Sequence, residues 1–192
     1  MDIMSHDHHD DYEFEKDYWG TCCNTFDEDQ KHYVYGNLMG LTRSHYSFVL
    51  PNISVLDIGG GPSSMLLKCK GLTHGKVVDP IDYPQWTKDR YKIMNILVDV
   101  KTGEEVTDLH YDEVWIYNCM QHAIDPQQII NNARRAAKRL RIFEWVDIPA
   151  HDGHPHELTE ESLNHWIGGT GSIAHLGESG CYGKAYYGVF EF

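Results

Sequence analysis

Apolar and polar positions along this chain change rhythm near residue 53. Upstream, Val34, Leu38 and Leu41 recur at i, i+4 and i+7, the spacing of one helical stripe. Thr25-x-x-Glu28 ahead of them reads as a capping box, in which each side chain satisfies the other's backbone N–H, and Gly40 is a natural stop. Residues 1–24 show no steady period. From Ile53 onward short apolar runs alternate with helix-like segments. Strands are expected at Ile53–Ile58, Lys76–Val78, Ile96–Val100, Asp112–Tyr117 and Leu140–Val146. Helices are expected from Pro62 to about Lys70, near Gln85–Met94 and over Pro126–Lys138, the last capped by Asp125. Near-continuous apolar strands alternating with helices predict a parallel sheet covered on both faces. The end of the chain reads differently: a helix capped by Thr159, then Gly168-Gly169, then Ile173–Leu176 and Ala185–Phe192 as a hairpin around a turn-rich 177–183. The expected class is α/β, a single domain with an N-terminal arm and helical lid over 1–50 and a core over 51–192.

The most informative segment is Val55-Leu56-Asp57-Ile58-Gly59-Gly60-Gly61-Pro62-Ser63-Ser64. A buried strand running into three glycines and then a helix lets a ligand approach the backbone and meet free N–H groups. In an open parallel sheet that is the crevice at the carboxyl end of the first strand. The next strand ends in Asp79, twenty residues after Gly59, where an acid can accept both hydroxyls of a ribose. A nicotinamide dinucleotide would need a small third position in G-x-G-x-x-G/A, and Ser64 stands there. Asp57, two residues before the loop, would repel a pyrophosphate but suit a ligand carrying an ammonium and a sulfonium. S-adenosylmethionine therefore fits these residues better than NAD.

Those residues, with Val77-Val78-Asp79-Pro80, Gly103-Glu104-Glu105-Val106 and the stretch from Tyr111 to Trp145, make residues 50–192 resemble the class I S-adenosylmethionine-dependent methyltransferases. The resemblance implies a Rossmann-like seven-stranded sheet of order 3-2-1-4-5-7-6. It implies that Asp57, Gly59, Gly60 and Gly61 line the methionine part of the cofactor. Asp79, followed by Pro80, would hold the ribose, Glu104 would lie by the adenine amino group, and Asn118 would face the reacting methyl. One departure stands out: Lys138-Arg139 replaces the family's glycine-rich turn before the fifth strand.

The acceptor is read partly by elimination. Asn118-Cys119-Met120-Gln121 lacks the D/N/S-P-P-aromatic motif of enzymes acting on exocyclic amines of bases, and Cys119 lacks the proline of a cytosine-C5 nucleophile. The chain has 192 residues and a formal net charge of −13, of which residues 1–29 carry −9; this opposes nucleic-acid and anionic-membrane partners. Arg134, Arg135, Lys138, Arg139 and Arg141 read as a surface face near a helix C-terminus rather than a phosphate track. His122 is the first candidate base, the alternative being a packing role beside the cofactor. His151, His154 and His156 would border the acceptor pocket, His154 and His156 as further bases; no Cys or carboxylate spacing completes a metal site, and none is expected. His6, His8 and His9 in the acidic arm read as adventitious chelators. Tyr12, Phe14, Tyr18 and Trp19 read as lid aromatics, with Trp19 closing over the cofactor. No apolar run approaches a membrane span, and five cysteines without a CxxC pair suggest a reduced, cytoplasmic chain. The expected function is methyl transfer to a small-molecule or saccharide acceptor, oxygen slightly ahead of nitrogen. An NAD-dependent oxidoreductase and an inactive cofactor-binding protein are the alternatives.

Overall fold

The structure, a computed structural model, describes residues 16–20, 22–151, 153–178 and 180–192. His6, His8, His9, Tyr12 and Phe14 lie outside these. A helical turn at 16–19 precedes helix α1 (Cys22–Leu38). This helix starts ahead of the expected Thr25 cap. The Asn24 side chain reaches back to the Tyr18 carbonyl, so the upstream turn folds against the helix start, and Thr25 lies buried inside the first turn. Gly40, at φ 72°, then turns the chain, as its position predicts.

A short strand β1 (Thr42–Ser44) pairs antiparallel with β2 (Ser47–Ile58). Strand β3 (Cys69–Asp79), helix α2 (Gln85–Ile93) and strand β4 (Ile96–Val100) follow. Next come β5 (Tyr111–Tyr117), α3 (Pro126–Ala136), β6 (Ala137–Trp145), α4 (Glu160–Ile167), β7 (Ser172–Glu178) and β8 (Cys181–Glu191). The sheet runs β4-β3-β2-β5-β6-β8-β7, with β1 off β2. It has eight strands rather than seven; with β1 set aside, the order is the expected one. Strand β2 continues across residue 50, where the sequence suggested a boundary. β2, β3, β4, β5 and β6 are parallel, and β8 and β7 return antiparallel as the expected hairpin.

The largest departure follows the glycine loop. In place of a helix from Pro62, two short 3-10 turns, Gly61–Ser63 and Met65–Lys68, lead straight into β3. Ser64 between them is extended, at φ −53° and ψ 144°, which breaks helical continuation. Two distant tyrosines satisfy the freed amides. The Tyr91 hydroxyl accepts from Ser64 N at 2.8 Å and donates to the Gly61 carbonyl, while Tyr117 Oη accepts from Met65 N at 3.0 Å. Helix α3 also stops two residues early, and Ala137 enters β6 with no intervening turn. Lys138 and Arg139 therefore lie in a strand. There Arg139 and Arg141 pair with Glu113, which is 1 % exposed.

Apolar side chains pack on both sheet faces. One layer joins Leu56, Ile58, Val114 and Ile116 to Ile130 and Ala133 of α3 and Leu163 and Ile167 of α4. The other joins Val55, Val77, Trp115 and Phe143 to Tyr35 of α1, Met39 just past its end and Tyr91 of α2. Tyr35 stacks on Phe143 with centroids 4.1 Å apart, fixing α1 across the sheet. That contact carries the face of α1 at Glu28, Lys31 and His32 to the rim where the parallel strands end.

Candidate active site

A cavity of about 450 Å³ opens at the carboxyl ends of β2, β3 and β5, large enough for a cofactor-sized ligand. Its floor is the glycine loop. Gly59 has φ 75°, and a Cβ there would lie 2.5 Å from Cys119 Cβ and Sγ; only glycine fits. At Gly61, φ 61°, an added Cβ would meet only the Tyr83 hydroxyl, at 3.8 Å, so the backbone is open to an occupant. Asp79 lines the cavity beside Pro80. Its Oδ2 accepts from Gly61 N at 3.0 Å and its Oδ1 from Ile81 N at 3.0 Å, which fixes the carboxylate at the cavity wall. Glu104 also lines it, with Oε1 accepting from Ile124 N and Asp125 N at 2.8 and 2.9 Å.

Asp57 is placed elsewhere than expected. It sits beneath the loop, fully buried and off the cavity wall. Its Oδ2 accepts from Ser64 Oγ at 2.5 Å and from Tyr117 Oη at 2.6 Å, while Oδ1 has no partner. Burial pushes its carboxyl up to about 7, against the pull of the two hydroxyls. The physical reason for its position is packing: a Cβ on Gly60 would lie 2.6 Å from Asp57 Oδ2. Asp57 supports the loop from behind rather than facing into the cavity.

Asn118, at φ 51° just past β5, lines the cavity and donates through Nδ2 to Glu28 Oε1 at 3.1 Å. Next to it Cys119 N and Met120 N both donate to Glu144 Oε1 at 3.2 Å. Glu144 is fully buried, with Oε2 unpartnered, and burial raises its carboxyl to about 8. This buried acid holds the turn Met120–His122. His122 lines the cavity, and its Nδ1 lies 2.7 Å from the Gly153 carbonyl. A carbonyl accepts, so Nδ1 carries the proton of this bond.

His154 joins His122 in the wall, their rings crossing edge-on with centroids 4.4 Å apart. Burial, then the neighbouring His122 and His151, lowers the His154 imidazole to about 4. His156 is not brought in: its Nε2 lies 3.2 Å from the Ile124 carbonyl, and it does not line the cavity. Reciprocal backbone hydrogen bonds join His151 to His154, and that tight turn sends the chain away before residue 156. Among the described residues, no cluster of three or more His, Cys, Asp or Glu side chains could hold a metal ion.

Trp19 lines the cavity with Tyr18, the two rings T-shaped at 4.9 Å. Three further wall residues escaped the sequence reading: Glu28, Lys31 and His32 of α1. With Tyr35 they fall at i, i+3, i+4 and i+7, one helical face, but charged residues in that pattern read as a solvated surface. Glu28 pairs with Lys31 at 3.1 Å. His32 is 2 % exposed; burial holds its pKa well below the usual range, with Lys68, Lys31 and Arg90 adding to the effect.

No protein-family model and no curated protein matches the chain. Solved structures do. The N-methyltransferase NodS from Bradyrhizobium japonicum WM9, solved with S-adenosyl-L-homocysteine, matches with a TM-score of 0.67 at 11% identity, over 94% of this chain and 97% of NodS. The Haloferax volcanii protein solved in complex with the Trm112 methyltransferase activator matches at 0.58 and 14% identity, over 83% of this chain and 77% of the other. A SAM-dependent methyltransferase from Thermotoga maritima matches at 0.56 and 14%, over 92% of both chains. The chain has the fold of the class I S-adenosylmethionine-dependent methyltransferases.

Proposed function

We propose that the protein is an S-adenosylmethionine-dependent methyltransferase acting on a small-molecule or saccharide acceptor, with oxygen the favoured acceptor atom. The observation that carries this reading is the set of groups that the strand order β4-β3-β2-β5 brings to one cavity: Glu104 after β4, Asp79 at the end of β3, the open backbone of Gly61 after β2 and Asn118 after β5. Carboxylates suit an adenine amino group and ribose hydroxyls, and the bare loop suits a close-lying amino-acid chain. The donor set fits that cofactor, which when bound supplies an electrophilic methyl group on a sulfonium. Asp79 would hold the ribose, Glu104 the adenine, and Gly59, Gly60 and Gly61 the methionine chain.

The chain's own residues then position and deprotonate. Asn118, tied to Glu28, fixes the end of β5 against the lid helix. Trp19 and Tyr18 cover the cavity and exclude water. His122 Nε2 takes the acceptor hydroxyl proton, because the Gly153 carbonyl already holds the proton on Nδ1. His154, kept neutral, avoids placing a second cation beside it. A histidine base at the cavity wall is what favours oxygen over nitrogen in this reading.

The test is calorimetric titration with S-adenosylmethionine and S-adenosylhomocysteine, run beside Asp79→Ala. Both ligands are expected to bind, with the substitution costing about 1–3 kcal/mol, as for lost hydrogen bonds to a charged group. A folded protein that binds neither, yet changes NADH fluorescence, would replace this reading with the nicotinamide one. Cofactor binding without turnover on a broad panel of hydroxyl and amine acceptors would leave a binding protein.

A further inference from the structure

The two edges of the sheet are built differently. At one edge β7 turns Ser172, His175 and Gly177 outward, and none of the large exposed apolar side chains belongs to it. At the other edge β4, among the described residues, pairs only with β3 and exposes Leu97 (53%), Val98 (38%) and Val100 (48%). Ile93 and Met94, just before it, are also exposed. Between β4 and β5 the chain forms a single 3-10 turn, Gly103–Glu105; α2 packs on one face of β4 through Tyr91 and Ile96, and among the described residues nothing pairs with its outer edge. A bare apolar edge presents unpaired backbone N–H and C=O groups to any strand that can match it.

The edge is also electrically quiet in a chain of net charge −13. Asp99, its one charged residue, is matched by Lys76 at 3.0 Å and Lys101 at 2.9 Å, and both lysines also meet Asp108. Two lysines and two aspartates cancel. Two strongly acidic copies can therefore approach through this strand without a like charge meeting across it.

We propose that the protein forms a two-fold dimer through β4, the strands of two copies pairing antiparallel about Leu97 to join their sheets. A two-fold axis requires antiparallel, self-complementary pairing, and the β4 sequence meets that requirement. In this register Leu97 faces Leu97 and Ile96 faces Val98, while Met94 and Asn95 lie in the turn before the strand, Asn95 at φ 56°, outside the ladder. Apolar residues meet apolar residues, and no charge meets its like. This inference is independent of the proposed activity.

Light scattering over a wide concentration range should report twice the 22.1 kDa chain mass, and raised salt should strengthen association by screening the net charge. Leu97→Lys should shift the mass to that of one chain, with the far-UV circular dichroism unchanged because Leu97 is exposed. Leu97→Cys, compared with unsubstituted protein under the same mild oxidation, should give a new disulfide-linked dimer. Residues on the axis face their own copy at about 4.5–5.5 Å between Cα atoms. Asp99→Cys, two residues off the axis and so far from its own copy, should not. A chain that stays monomeric at every concentration, or a dimer that survives Leu97→Lys, overturns the proposal. Cross-linking through Asp99→Cys and not Leu97→Cys overturns the register.

Discussion

Gly59 occupies a left-handed backbone conformation with the Cys119 side chain pressed against the place of its missing Cβ. Gly59→Ala meets both the strained φ and the contact, and is expected to cost about 1–3 kcal/mol of stability, read by chemical denaturation. An unchanged midpoint would mean that Cys119 yields freely. His122 offers a second test at this scale. If Nε2 is the base, His122→Gln should lower methyl transfer by about 10²–10⁴-fold while leaving calorimetric cofactor affinity intact. A matched loss of affinity would instead make His122 a packing residue beside the cofactor. The cavity positions of Asp79 and the glycines were legible because strand ends and glycine loops leave local signatures, whereas Glu104 and Asn118, which also line the cavity, were named only through the family resemblance. Glu144 and His32 were not: their significance is their burial, and burial of a polar residue is decided by what packs over it.

Strand and helix positions were legible wherever a segment's own periodicity governed it. Gln85–Ile93, Ile96–Val100 and the terminal hairpin lie within a few residues of their expected ends. The crossover after the glycine loop failed that logic, because Pro62-Ser63-Ser64 is a sound helix start taken alone. Two hydroxyls from distant parts of the chain hold the 3-10 turns in place of helical hydrogen bonds. Tyr91→Phe therefore strands the Ser64 amide and the Gly61 carbonyl, and should cost about 1–3 kcal/mol. At this chain length that is a fall of about 2–4 °C in Tm per kcal/mol, which calorimetry resolves. If Tyr91→Phe melts with the parent protein, ordered water satisfies those groups and the tyrosine is not the strut.

Over the whole molecule, three buried groups and the half-buried His154 shape stability against pH near neutrality. Asp57 moves from 3.8 to about 7 on folding and Glu144 from 4.5 to about 8. Between those limits the folded chain keeps protons that the unfolded chain has released, so stability falls as pH rises, by about 1.4 kcal/mol per pH unit for each group. His154 and His32 act oppositely. Their pKa values fall below 6.5 on folding, so their contribution grows as pH rises and is complete above 6.5. The two effects offset each other below pH 6.5 and leave the acids alone above it. Unfolding free energy should thus fall from pH 6.5 to 8, and Asp57→Asn should flatten the slope. A curve rising through that window would show that neither carboxyl is protonated in the folded state.

The sequence by itself determined the alternation of strands and helices, the returning hairpin, and the place of the glycine loop and of Asp79. Each rests on periodicity or on local backbone chemistry carried by neighbouring residues. Tertiary structure alone decided the rest. It set Asp57 behind the loop, turned His156 away from His122, replaced a crossover helix by two tyrosine-held turns, and brought Glu28, Lys31 and His32 of α1 to the cavity. In each case the deciding partner lies far along the chain, and only folding brings the two together.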